Sequence, residues 1–265
     1  FLGSVCSIAT VGWSVFKTPE IPPTESELAA LKAEKINVFT PFKEIASAIG
    51  DMPKVMWQLA LVYLFQWYAL FCYWQNASKS IAKSVWNTTV YQNNPAYEDA
   101  VAWSGLVNGW YNIVTFLSAF FLLWLAKKMS PKMIHVICLI MAAIGLLVFP
   151  HITDKNLLFV PMAGFGIAWA SMMGIPYLLV VHKIPKERYG VYMGIINMMI
   201  VIPMLLQTMT FGYILKNFLG NDPGKAISFA GVLLLLAAVA TLLVQSAHKN
   251  KNSDGAITMN GGHEN

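Results

Sequence analysis

Charge is what this chain most conspicuously lacks. Of its 265 residues only 12% are Asp, Glu, Lys or Arg, about half the roughly 25% of an ordinary soluble domain. The few charges are clustered, with long apolar runs between them. That pattern excludes a disordered protein, a nucleic-acid-binding domain and an ordinary soluble enzyme. Arginine is nearly missing: Arg188 stands alone, so the net charge of +5 comes from Lys in short connections and not from a basic binding face. Cysteine is equally sparse. Cys6, Cys72 and Cys138 lie far apart, each inside an apolar run. They have no metal-ligand spacing and imply no disulfide framework; they read as small buried apolar side chains. A signal peptide would need a basic start and a small-residue cleavage site. Neither is present, and the chain opens on Phe1 within an apolar stretch. It is expected to be a fragment that continues an earlier membrane span.

Apolar residues, in contrast, make up 57% of the chain and aromatics 13%. A membrane helix needs about 20 mostly apolar residues. Six runs meet that length, approximately Val55–Trp74, Val101–Ala126, Met133–Pro150, Asn156–Val181, Gly190–Leu215 and Ala226–Ser246. Phe1–Phe16 reads as the end of a seventh. No Asp, Glu, Lys or Arg lies well inside the six, as expected where each would cost about 2.5–3.5 kcal/mol at the helix centre. Most of the 18 Lys and Arg residues fall on one side: in Lys17–Lys54, Lys127–Lys132, His182–Arg188 and the C-terminal tail. The positive-inside bias predicts that this side, and the C-terminus, are cytoplasmic.

The stretch 17–54 is expected to be a cytoplasmic connector. Thr24-Glu25-Ser26-Glu27 has the look of a helix start, and Thr40-Pro41 opens a second short amphipathic piece through Ile49. Residues 247–265, rich in Asn and Gly, are expected to be disordered. Asn76-Ala77-Ser78 and Asn87-Thr88-Thr89 are formal glycosylation sequons in a stretch, Gln75–Ala100, that reads as an outer loop.

Three local motifs carry a family resemblance. Leu125-Ala126-Lys127-Lys128-Met129-Ser130-Pro131-Lys132 resembles the short basic loop of the major facilitator superfamily. Pro185-Lys186-Glu187-Arg188-Tyr189-Gly190-Val191-Tyr192-Met193-Gly194-Ile195-Ile196-Asn197, continuing into Ile200-Val201-Ile202-Pro203, is more specific. It is similar to the loop and eleventh helix of the sucrose/proton symporters and their bacterial sugar-transporting relatives, in the glycoside–pentoside–hexuronide group. Phe65-Gln66-Trp67-Tyr68-Ala69-Leu70-Phe71 resembles the aromatic seventh helix of those carriers. Plant-type sequences often have Gln directly after the Pro; here Met204 follows, with Gln207 three residues on. The resemblance implies an all-α membrane protein: the C-terminal six-helix bundle of a twelve-helix major facilitator fold, helices seven to twelve over 55–246, preceded by the end of the sixth helix over 1–16. It implies a multi-pass protein of a bacterial inner membrane, monomeric, with no cofactor. It also implies symport driven by H⁺ or, alternatively, Na⁺, with the coupling carboxylate in an N-terminal half outside this sequence.

The residues themselves point to a solute pathway. Polar side chains in a span normally face a protein interior or a wet cavity. Gln66 and Tyr73 are two turns apart on one helix face, beside Trp67. Asn108 and Asn112 share a face four residues apart, with Tyr111 between them, and Asn197 falls in mid-span. Amides both donate and accept, and aromatic rings stack on the apolar face of a sugar. Gln66, Trp67, Tyr73, Asn108, Tyr111, Asn112 and Asn197 are therefore the candidate contacts for a neutral sugar or glycoside. Interhelical glue is the competing reading for the Asn residues. Gly174, Pro176, Gly190, Gly194 and Pro203 are candidate bending or gating positions, since Pro removes a backbone bond within a helix. Arg188 is expected to pair with an acid or a helix C-terminus without touching substrate. Trp74, Trp103 and Trp124 read as interface anchors, Ser171 as a packing residue, and His135 and His182 as lying at cytoplasmic helix ends.

No catalytic constellation is visible. A membrane transferase would need clustered His, Asp or Glu at one interface, and a channel a polar ring; neither pattern occurs. The expected function is secondary active transport of sugars such as sucrose or maltose by alternating access. A carrier of drugs, nucleosides or peptides is the alternative.

Overall fold

Apolar residues spaced for helices build an all-helical chain. A computed structural model describes residues 2–18, 24, 25, 28, 39–185 and 188–245. Its helices are α1 (Leu2–Lys17), α2 (Thr40–Gly50), α3 (Lys54–Val85), α4 (Pro95–Lys128), α5 (Pro131–Val148), α6 (Phe159–Val180), α7 (Tyr189–Asn217) and α8 (Pro223–Leu243). Short 3₁₀ turns, Phe149–His151, Lys155–Leu158 and Val181–Lys183, join some of them, and no strand occurs among the described residues. The chain divides into two units between Glu44 and Ile45. The first holds α1. The second holds α3 to α8, all six long and apolar enough to cross a membrane. The tail 247–265, Glu187, the His182 side chain and most of the expected Thr24 helix start lie outside the described residues. The expected second piece is α2.

The helices begin and end where backbone chemistry dictates. Asn94 and Asp222 cap α4 and α8: their side-chain oxygens accept from Ala96 N at 2.9 Å and Gly224 N at 2.8 Å. Each is followed by Pro at the first helical position, where the missing N–H costs nothing. Asn87 and Asn93 take positive φ, 50° and 49°, in the turn between α3 and α4, a conformation Asn tolerates better than most residues.

Two expectations about the chain path need correction. The outer loop Gln75–Ala100 is mostly helix: α3 runs on to Val85 and α4 starts at Pro95. The stretch after Trp74 is polar but still periodic, burying Ala77, Ile81 and Ala82 while Gln75 and Lys83 stay exposed. Asn76 is thus a buried helical residue whose Nδ2 donates to the Cys72 carbonyl at 2.9 Å, not an accessible glycosylation acceptor. Nor do the prolines interrupt their spans. Pro176 and Pro203 are buried inside the unbroken helices α6 and α7, each depriving the carbonyl four residues back of its usual donor.

α3 is the hub of the second unit, packing on α8, α7 and α4; α5 lies against both α8 and α6, and α6 against α4. Small residues allow the closest crossings, as is general for membrane helices. At Gly166 a Cβ would lie 2.5 Å from the Tyr111 carbonyl oxygen and 2.9 Å from Val114 Cβ. There the Thr115 hydroxyl donates across to the Gly166 carbonyl at 2.9 Å. At Gly231 of α8 a Cβ would lie 3.0 Å from the Ala143 carbonyl oxygen of α5. α4 and α7 are packed least: 17% and 28% of their most apolar stretches are buried, against 56% for α3. Their outward side chains, Phe116, Phe120 and Trp124 on α4 and Val201, Leu205 and Met209 on α7, are apolar, as a lipid or helix neighbour requires.

Replacing Gly166 with Ala should force α4 and α6 apart and cost about 1–3 kcal/mol. Replacing Gly174, where a Cβ meets nothing within 4 Å, should cost far less. Thermal unfolding of both purified variants in detergent is the check.

Candidate functional site

The candidate site grows from α3. Gln66 is fully buried, and neither its Oε1 nor its Nε2 has a hydrogen-bond partner. The adjacent Trp67 is nearly as deep, and its indole N–H is likewise unpartnered. Buried polar groups are paired in the great majority of cases, so two adjacent exceptions call for an explanation. Trp67 packs edge-on against Trp169 of α6, centroids 5.9 Å apart, and Trp169 meets Trp74 of α3 at 5.6 Å. Two turns along from Gln66, the Tyr73 hydroxyl donates to Asn108 Oδ1 of α4 at 2.9 Å. The Tyr73 ring lies 5.0 Å from Phe165, which in turn contacts Tyr111 at 5.1 Å. Trp67 and Trp74 thus meet Trp169 in one ring cluster between α3 and α6, and Tyr73, Asn108 and Tyr111 gather around Phe165 in a second between α3, α4 and α6; the two clusters together are the aromatic seam.

The other candidates fall elsewhere. Asn112 is exposed and turns its Nδ2 back to the Asn108 carbonyl at 2.8 Å. Asn197 is exposed on α7, off the face that buries Ile195, Met199 and Pro203. Gly174, Gly190 and Gly194 have open space where a Cβ would stand. Arg188 donates from Nη1 to Asp51 Oδ2 at 3.0 Å, both side chains exposed, next to the Tyr192 hydroxyl, which lies 3.5 Å from the Asp51 carbonyl. This ion pair joins the start of α7 to the residue after α2. Exposed pairs of this kind contribute about 0–1 kcal/mol, so its role is positional.

Several polar contacts went unrecognised in the sequence. Gln207 is fully buried on α7 and donates to Gln75 Oε1 at 3.0 Å, while Tyr68 and Thr210 share a 2.7 Å hydrogen bond. These join α3 to α7 through side chains. His135 does not sit at an open helix end: it is fully buried, its Nδ1 2.9 Å from the Ser171 hydroxyl, and its Nε2 has no partner. Ser171 is therefore a hydrogen-bonding residue between α5 and α6 and not mere filler. Trp74 is mid-helix and part of the aromatic seam, not an anchor. Trp103 and Trp124 do lie near helix ends, with Lys155 and Lys128 ammonium groups 4.6 Å and 3.9 Å from their rings. Cys72 and Cys138 are buried as expected, whereas Cys6 is exposed on α1. Among the described residues no group of His, Cys, Asp or Glu could hold a metal ion. The seam is a wall of aromatic rings and amides without a charge.

The sequence matches the Major Facilitator Superfamily over residues 1–208. No curated protein matches the chain.

Removing the Ser171 hydroxyl should leave the buried His135 ring without its partner. Ser171→Ala is expected to lower stability by about 1–3 kcal/mol, read as a reduced unfolding midpoint in detergent, with Ser171→Thr largely retaining it.

Proposed function

The chain belongs to the major facilitator superfamily, whose members are membrane transporters, and from that premise we propose that it carries sugars or related glycosides, such as sucrose or maltose. Transport would be secondary and active, coupled to protons, with sodium as the alternative ion. The observation that carries this reading is the Gln66–Trp67 pair: three buried polar atoms with no partner, set among aromatic rings. Each such atom carries a desolvation cost of about 1–3 kcal/mol. A hydroxyl-rich solute would supply both the acceptors that Gln66 Nε2 and Trp67 Nε1 lack and the donor that Gln66 Oε1 lacks, while Trp67, Trp74 and Trp169 offer faces for its C–H surface. A charged solute fits poorly, because nothing in the seam would balance it.

Gln66 is sealed in the state described, so a solute reaches it only when the helices around α3 separate. We place this local opening within a cycle in which the bundle rocks against a second bundle to expose a midplane site alternately. The twelve-helix arrangement, the cytoplasmic C-terminus and the bacterial inner membrane are part of this proposal. So is the position of the coupling carboxylate in the companion bundle, since no Asp or Glu stands mid-span in α3 to α8. The alternative, a carrier of drug-like solutes, draws support from one feature: an apolar groove of about 440 Å³ between α2, α3 and α7, lined by Met52, Trp57, Leu64, Met198 and Ile202 among others.

Cells expressing the full protein should accumulate labelled maltose or sucrose, and a protonophore should abolish that accumulation. Gln66→Met should reduce uptake at least tenfold, the equivalent of about 1.4 kcal/mol, while leaving thermal stability unchanged or raised, because it removes two unpaired buried atoms. Unaltered uptake in Gln66→Met would remove the site assignment. Uptake of apolar drugs in place of sugars would favour the groove.

A further inference from the structure

A second polar site lies where α3 ends, α5 runs into the turn Phe149–His151, and α8 begins. These segments surround a cavity of about 310 Å³, with Ser80, Lys83, Ser84, His151, Asp222 and Lys225 in its wall. None of them belongs to the aromatic seam.

Two observations make this cavity more than a surface dent. The first is its hydroxyls. Thr208, Thr210 and Thr241 each donate to the carbonyl four residues back, at 2.6–2.9 Å, the usual resort of a hydroxyl in an apolar helix. Ser80 and Ser84 do not. Both Oγ atoms are buried without a partner, and Ser80 is only 1% exposed. They are free to donate into the cavity.

The second is its charge. Lys83 is held by Asp222 at 2.6 Å. The other carboxylate oxygen of Asp222 accepts from the Gly224 and Lys225 amides, at 2.8 Å and 3.4 Å, at the start of α8. Partial burial would raise the Asp222 carboxyl, but the Lys83 ammonium and these amides outweigh it and hold the group below the usual carboxylate range. The one acid in the wall is therefore committed. Among the described residues no acid lies within ion-pair distance of the Lys225 ammonium. What remains is a donor-rich cavity: the Ser80, Ser84 and Ser228 hydroxyls, a free ammonium and the spare hydrogens of a second. Its complement is a compact anion with several oxygens, which a Lys ammonium binds as a point charge.

We propose that this cavity binds a phosphate group, with Ser80, Ser84 and Lys225 donating to its oxygens while Asp222 holds Lys83 beside it. The cavity sits at the ends of three membrane-length helices, so the phosphate could come from a lipid headgroup or from free solution. The site does not depend on the sugar reading and would stand if that reading failed.

The test uses the full purified protein in neutral detergent and reads the unfolding midpoint. Two ligands are titrated separately: inorganic phosphate, and phosphatidylglycerol in mixed micelles, with phosphatidylcholine as the uncharged comparison. Binding should raise the midpoint by about 3 °C near saturation. The half-saturating concentration should rise roughly tenfold in Lys225→Gln and in the double variant Ser80→Ala/Ser84→Ala, as expected for lost charge-assisted hydrogen bonds. Lys155→Gln removes the same charge from the same face, outside the cavity, and should change little. A shift with inorganic phosphate supports a free anion, and a shift with phosphatidylglycerol alone supports a lipid headgroup. No shift with either ligand overturns the proposal. So does a shift that Lys225→Gln leaves intact, or one that Lys155→Gln weakens equally. Lys225 is exposed, so that variant decides the matter even if the double serine variant fails to fold.

Discussion

Lipid offers no hydrogen bonds, and every polar group carried into it must find a partner within the protein. The second unit of this molecule is arranged around that constraint. Its backbone is satisfied by helices of 18 to 34 residues. Its hydroxyls mostly fold back on their own helices, and its deeper amides and its histidine find side chains on neighbouring helices, as Asn108, Gln207 and His135 do. Against that background the exceptions stand out. His135 and Gln207 each keep one atom paired and one, Nε2 and Oε1, unpaired, whereas the polar side-chain atoms of Gln66 and Trp67 in the aromatic seam, and of Ser80 and Ser84 at a helix end, have no partner at all. Unpaired polar atoms are costly where water is scarce, and it is on these two groups that both proposals rest.

The two open sites differ in kind because their surroundings differ. The seam around Trp67 and Trp169 contains rings and amides but no charge, which suits a neutral solute. The cavity around Lys225 contains ammonium groups and hydroxyls with their one acid already occupied, which suits an anion. Depth explains the division. A charge near the middle of a span is expensive, while at the helix ends Lys reaches headgroup and water. Packing follows the same logic. α3 is surrounded by helices and can hold buried polar groups, whereas α4 and α7 turn mostly apolar side chains outward.

Much of this was legible in the residues alone. Long apolar runs free of charge have one economical structure in lipid, so the six spans, the all-helical class and the family follow from composition and motif. The short amphipathic helix from Thr40 was visible as well, because an early proline and the apolar period agree there. Boundaries were harder. Residues 75–85 are polar enough to read as loop, yet they continue α3 because Ala77, Ile81 and Ala82 bury one stripe of it. Local polarity and helical period conflict in that stretch, and packing against the rest of the bundle decided in favour of the period.

Pairing across helices was not legible. That Tyr73 meets Asn108, His135 meets Ser171, and Gln207 meets Gln75 depends on which helix lies beside which and at what height. Residues 35 to 132 positions apart in the chain share no local signal of such contact. The same holds for Gly166, which looks like any small residue until α4 is found pressed against it. Composition and period alone dictate that this protein lives in a membrane as helices, because they set which side chains are buried in an apolar surrounding. Which polar atoms are answered and which are left waiting was settled by helix packing, because a hydrogen bond requires two groups within about 3 Å, and packing sets that distance.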